Sequence, residues 1–199
     1  FNETDETVII DVASVVNGDE ATVQQKTVTI LNDDAVPTVV LSTGLSAILE
    51  SLGTTTVTVT LNTAAGQDVT VTLVKSGTAI EGTDYTLGSS ITIPAGVTSV
   101  SITLAALSDV ADEFDEPVII DINTVTNATE EGGPTGQTKT VFVTDDDATP
   151  TVTLLAASAT IGEDGATTTT TNINVNLSAV SNLPVTVTFA KSGSATEGL

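Results

Sequence analysis

The sequence predicts an all-β chain of tandem antiparallel sandwiches, and three observations carry that expectation. First, polar and apolar residues alternate strictly in segments such as Thr56-Val57-Thr58-Val59-Thr60-Leu61, the period of a strand with one wet face. Second, Val, Ile, Leu and abundant Thr supply the pattern while aromatic residues make up only 3%, a composition that favours strands. Third, whole segments return. Asp5-Glu6-Thr7-Val8-Ile9-Ile10-Asp11 recurs as Asp115-Glu116-Pro117-Val118-Ile119-Ile120-Asp121, 110 residues on. Asp33-Asp34-Ala35-Val36-Pro37 recurs as Asp146-Asp147-Ala148-Thr149-Pro150 after 113, and Lys75-Ser76-Gly77 as Lys191-Ser192-Gly193 after 116. Such spacing marks a copied module with small loop insertions.

Taken in order, the middle module reads as seven strands. Thr38 to Ser42 opens after Pro37. Thr56 to Leu61 turns Val57, Val59 and Leu61 to one face, and Asp68 to Lys75 does the same with Val69, Val71 and Leu73. Ser90 to Ile93 is short and stops at Pro94-Ala95-Gly96. Ser99 to Leu104 points Val100, Ile102 and Leu104 inward. Val118 to Ile122 is more continuously apolar, and Thr140 to Val143 closes the set. Seven short strands in about 110 residues are the signature of an immunoglobulin-like sandwich. Gly and Pro interrupt every place where a helix could extend. Tyr85 is expected as a core plug in its turn.

The opening strands recur as Thr151 to Leu154, Asn172 to Leu177 and Val185 to Phe189. Residues 1–35 therefore correspond to the second half of a module, 36–147 to a complete one, and 148–199 to a first half. The chain is expected to be a window on a longer array, with two incomplete sandwiches at its ends. The junctions are short, acidic and contain Pro37 and Pro150, which restrict φ and favour a semi-rigid rod.

The charge excludes several roles. Against 26 acidic residues stand four lysines and no arginine, for a net charge of −22. Nucleic acid and anionic membranes need basic contacts, so neither is an expected partner, and no segment reads as a membrane span. With no Cys, His, Met or Trp, zinc, haem and copper sites lack their usual ligands and Ser or Thr lacks a general base. Paired carboxylates could serve a glycosidase, but few aromatics are present to stack on sugar, and no catalytic role is expected. Lys26 matches Lys139, and Lys75 matches Lys191. Edge protection or pairing with a carboxylate is expected of them rather than a Lys–Asn bond.

What remains for metals is oxygen, which suits calcium or magnesium. Four acidic clusters recur at strand ends. Glu50 matches Glu163, which precedes Asp164-Gly165. Glu81-Gly82-Thr83-Asp84-Tyr85 matches Glu197-Gly198. Asp109 to Glu116 matches Glu3-Thr4-Asp5-Glu6. Asp145-Asp146-Asp147 matches Asn32-Asp33-Asp34. Calcium takes six to eight oxygens, often from several loops, and alternate loops of a sandwich meet at one pole. The alternative is a solvated acidic surface. Three consecutive aspartates repel one another unless a cation is near.

Pro37 to Leu41, Glu50, Gly77 to Tyr85, Ile91 to Gly96, Asp112 to Glu116 and Thr144 to Asp147 closely resemble, in order and spacing, the Calx-beta repeat. The resemblance covers the middle module and both partial ones. It implies a seven-stranded sandwich of the kind found in sodium–calcium exchangers, integrin cytoplasmic regions and tandem arrays of bacterial surface proteins. It also implies calcium at one pole, beside the junction to the next domain. Position by position, the implied ligands are Glu50, Asp84, Asp109, Glu113, Glu116, Asp145, Asp146 and Asp147. Glu3 and Glu6 keep the spacing of Glu113 and Glu116, and Asp33, Asp34 and Glu163 stand at further equivalent positions. Ser108 and Val110 occupy positions that are acidic in the exchanger domain, and Asn32 replaces the first Asp of the triple.

The function expected is that of a calcium-stiffened rod within a long bacterial surface adhesin or filament, in cell adhesion or motility. In composition it is similar to the giant adhesins of gliding bacteria. Its expected partners are calcium ions, neighbouring modules and a surface ligand, protein or polysaccharide. The alternatives are a calcium-responsive regulatory module and an inert spacer in a secreted multidomain enzyme.

Overall fold

A computed structural model describes residues 1–22, 24–133, 136–163 and 170–195. Its strands are β1 (Glu6–Ile10), β2 (Lys26–Ile30), β3 (Thr38–Thr43), β4 (Ala47–Leu49), β5 (Thr54–Leu61), β6 (Val69–Gly77) and β7 (Tyr85–Thr86). They continue as β8 (Ser90–Ile93), β9 (Ser99–Ala106), β10 (Glu116–Thr126), β11 (Thr129–Glu130), β12 (Lys139–Thr144), β13 (Val152–Ala156) and β14 (Ile173–Leu177). Strands β3 to β12 form two five-stranded sheets, ordered β4-β12-β10-β6-β8 and β11-β3-β5-β9-β7. The seven expected strands are all present.

The period-2 pattern decides what lies between the sheets. Val39 and Leu41 of β3, Val57 and Val59 of β5, and Leu104 of β9 are fully buried. They share one core with Val69 and Val71 of β6, Ile93 of β8, Val118 and Ile120 of β10, and Val141 of β12. Each such side chain contributes roughly 1.5–3 kcal/mol of burial free energy. Tyr85 is 2% exposed and does plug the core.

Three short strands were not anticipated. Strands β4 and β11 pair in parallel with β12 and β3, so the sandwich is not purely antiparallel. The chain crosses between sheets at Gly44, whose N–H donates to Thr56 O at 2.9 Å. A Cβ there would lie 2.8 Å from Thr56 Oγ1. After that crossing β4 runs beside β12, which carries Glu50 to the acidic end of that strand.

The repeat holds at the level of hydrogen bonds. The β1–β2 hairpin pairs Glu6 with Ile30, as the β10–β12 ladder pairs Glu116 with Val143. The β13–β14 hairpin pairs Val152 with Leu177, as β3–β5 pairs Val39 with Leu61. All four hairpin strands are exposed on both faces, because no opposing sheet covers them. Val185 to Phe189, expected as a strand, joins no ladder. Its counterpart β6 is held on both sides, by β8 and β10. Among the described residues no helix is long and apolar enough to cross a membrane. Lys75 pairs with Glu81 and donates to Leu87 O at 2.9 Å.

Candidate metal centre

One pole of the sandwich collects acidic side chains from four separate stretches of chain. Glu50 follows β4 and is 6% exposed. Its backbone N–H donates to Thr144 O at 2.9 Å, which anchors it to the end of β12. Leu52 adopts a left-handed conformation (φ 70°) in the turn that follows, and Gly53 N–H closes the turn on Leu49 O at 2.9 Å. Glu50 Oε1 accepts from Asp109 N–H at 2.7 Å, and Asp109 Oδ1 accepts from Ala111 N–H at 2.7 Å. Both carboxylates are thus held by backbone donors instead of by opposite charges.

Asp84 is placed by the turn after β6. Gly77, at φ 117°, lets the chain leave the ladder beside Pro117. The turn then closes on itself: Ile80 N–H donates to Asp84 Oδ2 at 2.6 Å, and Asp84 N–H donates to Ile80 O at 2.9 Å. Leu107 N–H donates to Asp84 O at 2.9 Å and draws in the β9–β10 loop. Glu113 and Glu116 stand at the end of that loop and the first position of β10.

Two triads result. Glu50, Asp109 and Asp147 each offer a carboxylate oxygen within 4.8 Å of the other two, and so do Asp84, Glu113 and Glu116. Two oxygens bound to one calcium at 2.3–2.6 Å lie at most about 5 Å apart, so each triad fits a shared calcium ion. One crevice takes in the second triad and Glu50 of the first, lined by Glu50, Asp84, Glu113, Phe114, Glu116, Val143 and Asp145. It has no basic lining residue.

The electrostatics reflect that lack. Burial, followed by the charges of Asp109, Asp147 and Asp145, raises the Glu50 carboxyl above its ordinary value, and the Asp109 N–H only partly offsets this. Glu116 is raised by burial, by its contact with the Asp84 carboxyl and by the charges of Asp84 and Glu113. Asp147 is raised by desolvation and by Asp145, Asp146, Asp109 and Asp112. Anions held together without a counterion resist ionisation, and a bound divalent cation reverses that.

The remaining sequence candidates are placed differently. Asp145 lines the crevice, and Asp146 accepts a hydrogen bond from Ser51 Oγ. Glu3, Glu6, Asp33, Asp34 and Glu163 are all exposed; none of these five belongs to a triad among the described residues. Asp164, Gly165, Glu197 and Gly198 lie outside the described residues. Sequence reasoning passed over one contributor: Phe114, 73% exposed, forms part of the crevice wall. Asp112, 7% exposed, lies in the same acidic run but instead accepts from Ser181 Oγ at 2.9 Å. An apolar residue inside an acidic run was the available signal for Phe114.

No family model matches the sequence, and no curated protein matches it. Among solved structures the chain is similar to "CBD12 from CALX1.2", with 22% identity over 51% of this chain and 42% of that one, and a TM-score of 0.44. It is similar to "calcium binding domain CBD12 of CALX1.1", with 22% identity over 55% and 51% and a TM-score of 0.42. A third is "Apo-form Calx CBD1 domain", with 21% identity over 55% and 99% and a TM-score of 0.45. The chain spans about half or less of the two CBD12 structures.

Proposed function

We propose that this chain is a run of tandem Calx-beta-like units that bind calcium at the pole of each sandwich, next to the junction with the following unit. The boundaries lie near residues 35–36 and 147–148. The observation that carries this reading is the pair of triads, Glu50–Asp109–Asp147 and Asp84–Glu113–Glu116, with Glu50 and the whole second triad lining one crevice that has no basic residue. Glu50 and Asp109 are fixed by backbone donors before any ion arrives. Calcium would neutralise the charges that now repel and would tie three loops together. Asp147 sits in the junction itself, so the ion would stiffen the link to the next unit.

The wider reading is a rod in a long surface adhesin or filament, outside the cell. Sites with dissociation constants of about 0.1–1 mM would be filled by millimolar calcium, adding roughly 0.4–1.5 kcal/mol each by mass action. The repeated registers of the terminal hairpins support an array, and the net charge of −22 suits a calcium-rich medium.

Thermal unfolding and titration calorimetry of the 199-residue chain test this. At about 2 mM calcium the midpoint should rise by several degrees, at ~4–8 °C per kcal/mol for a domain of this size, with heat released on titration. An unchanged midpoint together with no bound ion would sink the calcium reading.

A further inference from the structure

The two junctions in this chain are made by the same contacts, although different residues make them. At the first, Asn2 bridges Ala65 in parallel and Gly66 N–H donates to Asn2 O at 2.9 Å. At the second, Asp112 bridges Ser181 in parallel and Asn182 N–H donates to Asp112 O at 3.1 Å. In the repeat, Asp112 is equivalent to Asn2, and Ser181 and Asn182 to Ala65 and Gly66. The bridge is therefore one contact formed twice, between the loop before β10 (or β1) and the loop after β14 (or β5) of the next unit.

Side chains reinforce the second copy. The Asp112 carboxylate accepts from Ser181 Oγ at 2.9 Å and from Thr149 Oγ1 at 3.2 Å. Asp112 N–H donates to Val180 O at 3.3 Å, and Asn182 Nδ2 donates to Glu113 Oε1. The linkers also repeat. Asn32 N–H donates to Asp5 Oδ1 at 2.9 Å as Asp145 N–H donates to Asp115 Oδ1 at 3.2 Å. Asn32 Oδ1 and Asp145 Oδ1 each accept, at 3.4 Å, from the amide two residues on. Asn and Asp interchange at positions 2/112 and 32/145 because the shared contacts need main-chain groups or a side-chain Oδ1 acceptor, not a charge.

We propose that this loop-to-loop bridge is a docking surface whose partner is the next unit of the same chain, with Asp112 as its latch. It sets one orientation between successive units at every junction. It goes beyond the calcium reading, because none of its contacts needs a cation. Asp112 belongs to neither triad.

The test uses the 199-residue chain in a calcium chelator, so that its outcome is separate from that of calcium binding. Amide exchange by NMR should show Gly66 and Asn182 slowed at least about tenfold against their intrinsic rates. The chain contains no Cys, so Thr103→Cys with Asn176→Cys places two spin labels cleanly, on β9 and β14. Their distance distribution should be narrow in the parent and at least about twice as broad with Asp112→Ala or Asn182→Pro, which remove the latch and the bridging donor. Asn182 is exposed, so its substitution leaves the sandwich core untouched should Asp112→Ala fail to fold. Unprotected Gly66 and Asn182 amides, or a distribution that both substitutions leave unchanged, overturns the proposal.

Discussion

The Glu50 carboxylate accepts the Asp109 N–H at 2.7 Å across 59 positions of sequence, and it does so beside the Asp109 and Asp147 carboxylates. A hydrogen bond therefore holds in place a group that its neighbours repel. Glu50→Gln keeps the Oε1 acceptor and removes the charge. Without calcium, the variant should melt higher than the parent by on the order of 2–5 °C. With calcium, it should gain less. Parallel melts in chelator and in calcium check this crossed response; a variant that melts lower in both would contradict it.

The pH dependence without metal follows from the same repulsion. Glu50, Glu116 and Glu130 all titrate above the ordinary glutamate value of 4.5 in the fold. Glu130 is raised mainly by burial, and its Oε1 lacks a hydrogen-bond partner among the described residues. The folded chain then binds more protons than the unfolded chain at pH values above 4.5. The resulting stability is fully present below that value and is lost as pH rises through the folded values. Urea midpoints in chelator should therefore fall as the pH rises above the ordinary glutamate value of 4.5. Saturating calcium should flatten or reverse this slope, since the ion favours the ionised carboxylates.

Gly77 supports Asp84 indirectly. At φ 117° a Cβ would lie 1.9 Å from Pro117 O, a main-chain atom of the adjacent strand. Gly77→Ala should destabilise the sandwich by about 2–4 kcal/mol, combining backbone strain with loss of the ladder's close approach. Urea unfolding reads this directly, and a cost under about 0.5 kcal/mol would be typical only of an unconstrained surface site.

Gln137 is a buried strut on the other side of the fold. It is 7% exposed, accepts Leu41 N–H at 2.5 Å, and donates to Val39 O at 2.6 Å and Glu131 O at 3.0 Å. Gln137→Leu leaves the buried Leu41 N–H unpaired and removes one of the two donors to Val39 O, which keeps the Glu131 N–H at 3.0 Å. The expected loss is roughly 2–3 kcal/mol, with faster exchange of the Leu41 amide as a local readout. Calcium binding at the opposite pole should be unaffected.

Most of the sandwich could be read from periodicity, because alternation commits each strand to one buried face. The exceptions share a cause. Strands β4, β7 and β11 are two or three residues long, too short to show a period, and their pairing depends on neighbours distant in sequence. Val185 to Phe189 carries a strand's pattern yet forms no ladder, since pairing needs a partner as well as a propensity. The acidic residues were visible as clusters, but their division into triads was not. Asp145, Asp146 and Asp147 are consecutive, yet Asp147 joins Glu50 and Asp109, Asp145 lines the crevice and Asp146 meets Ser51.

By itself, the sequence determined the strand faces, the repeat and the supply of carboxylates, all of which are local properties of composition and spacing. The tertiary structure decided which carboxylates share space. Gly44 moves the chain between sheets, and that crossing brings Glu50 to Asp109. It also decided that Asp112, embedded in an acidic run, meets Ser181, 69 positions on, and does not line the crevice. Such assignments depend on which loops the two sheets bring to one pole, and contacts between residues so far apart in the chain leave no mark on local pattern.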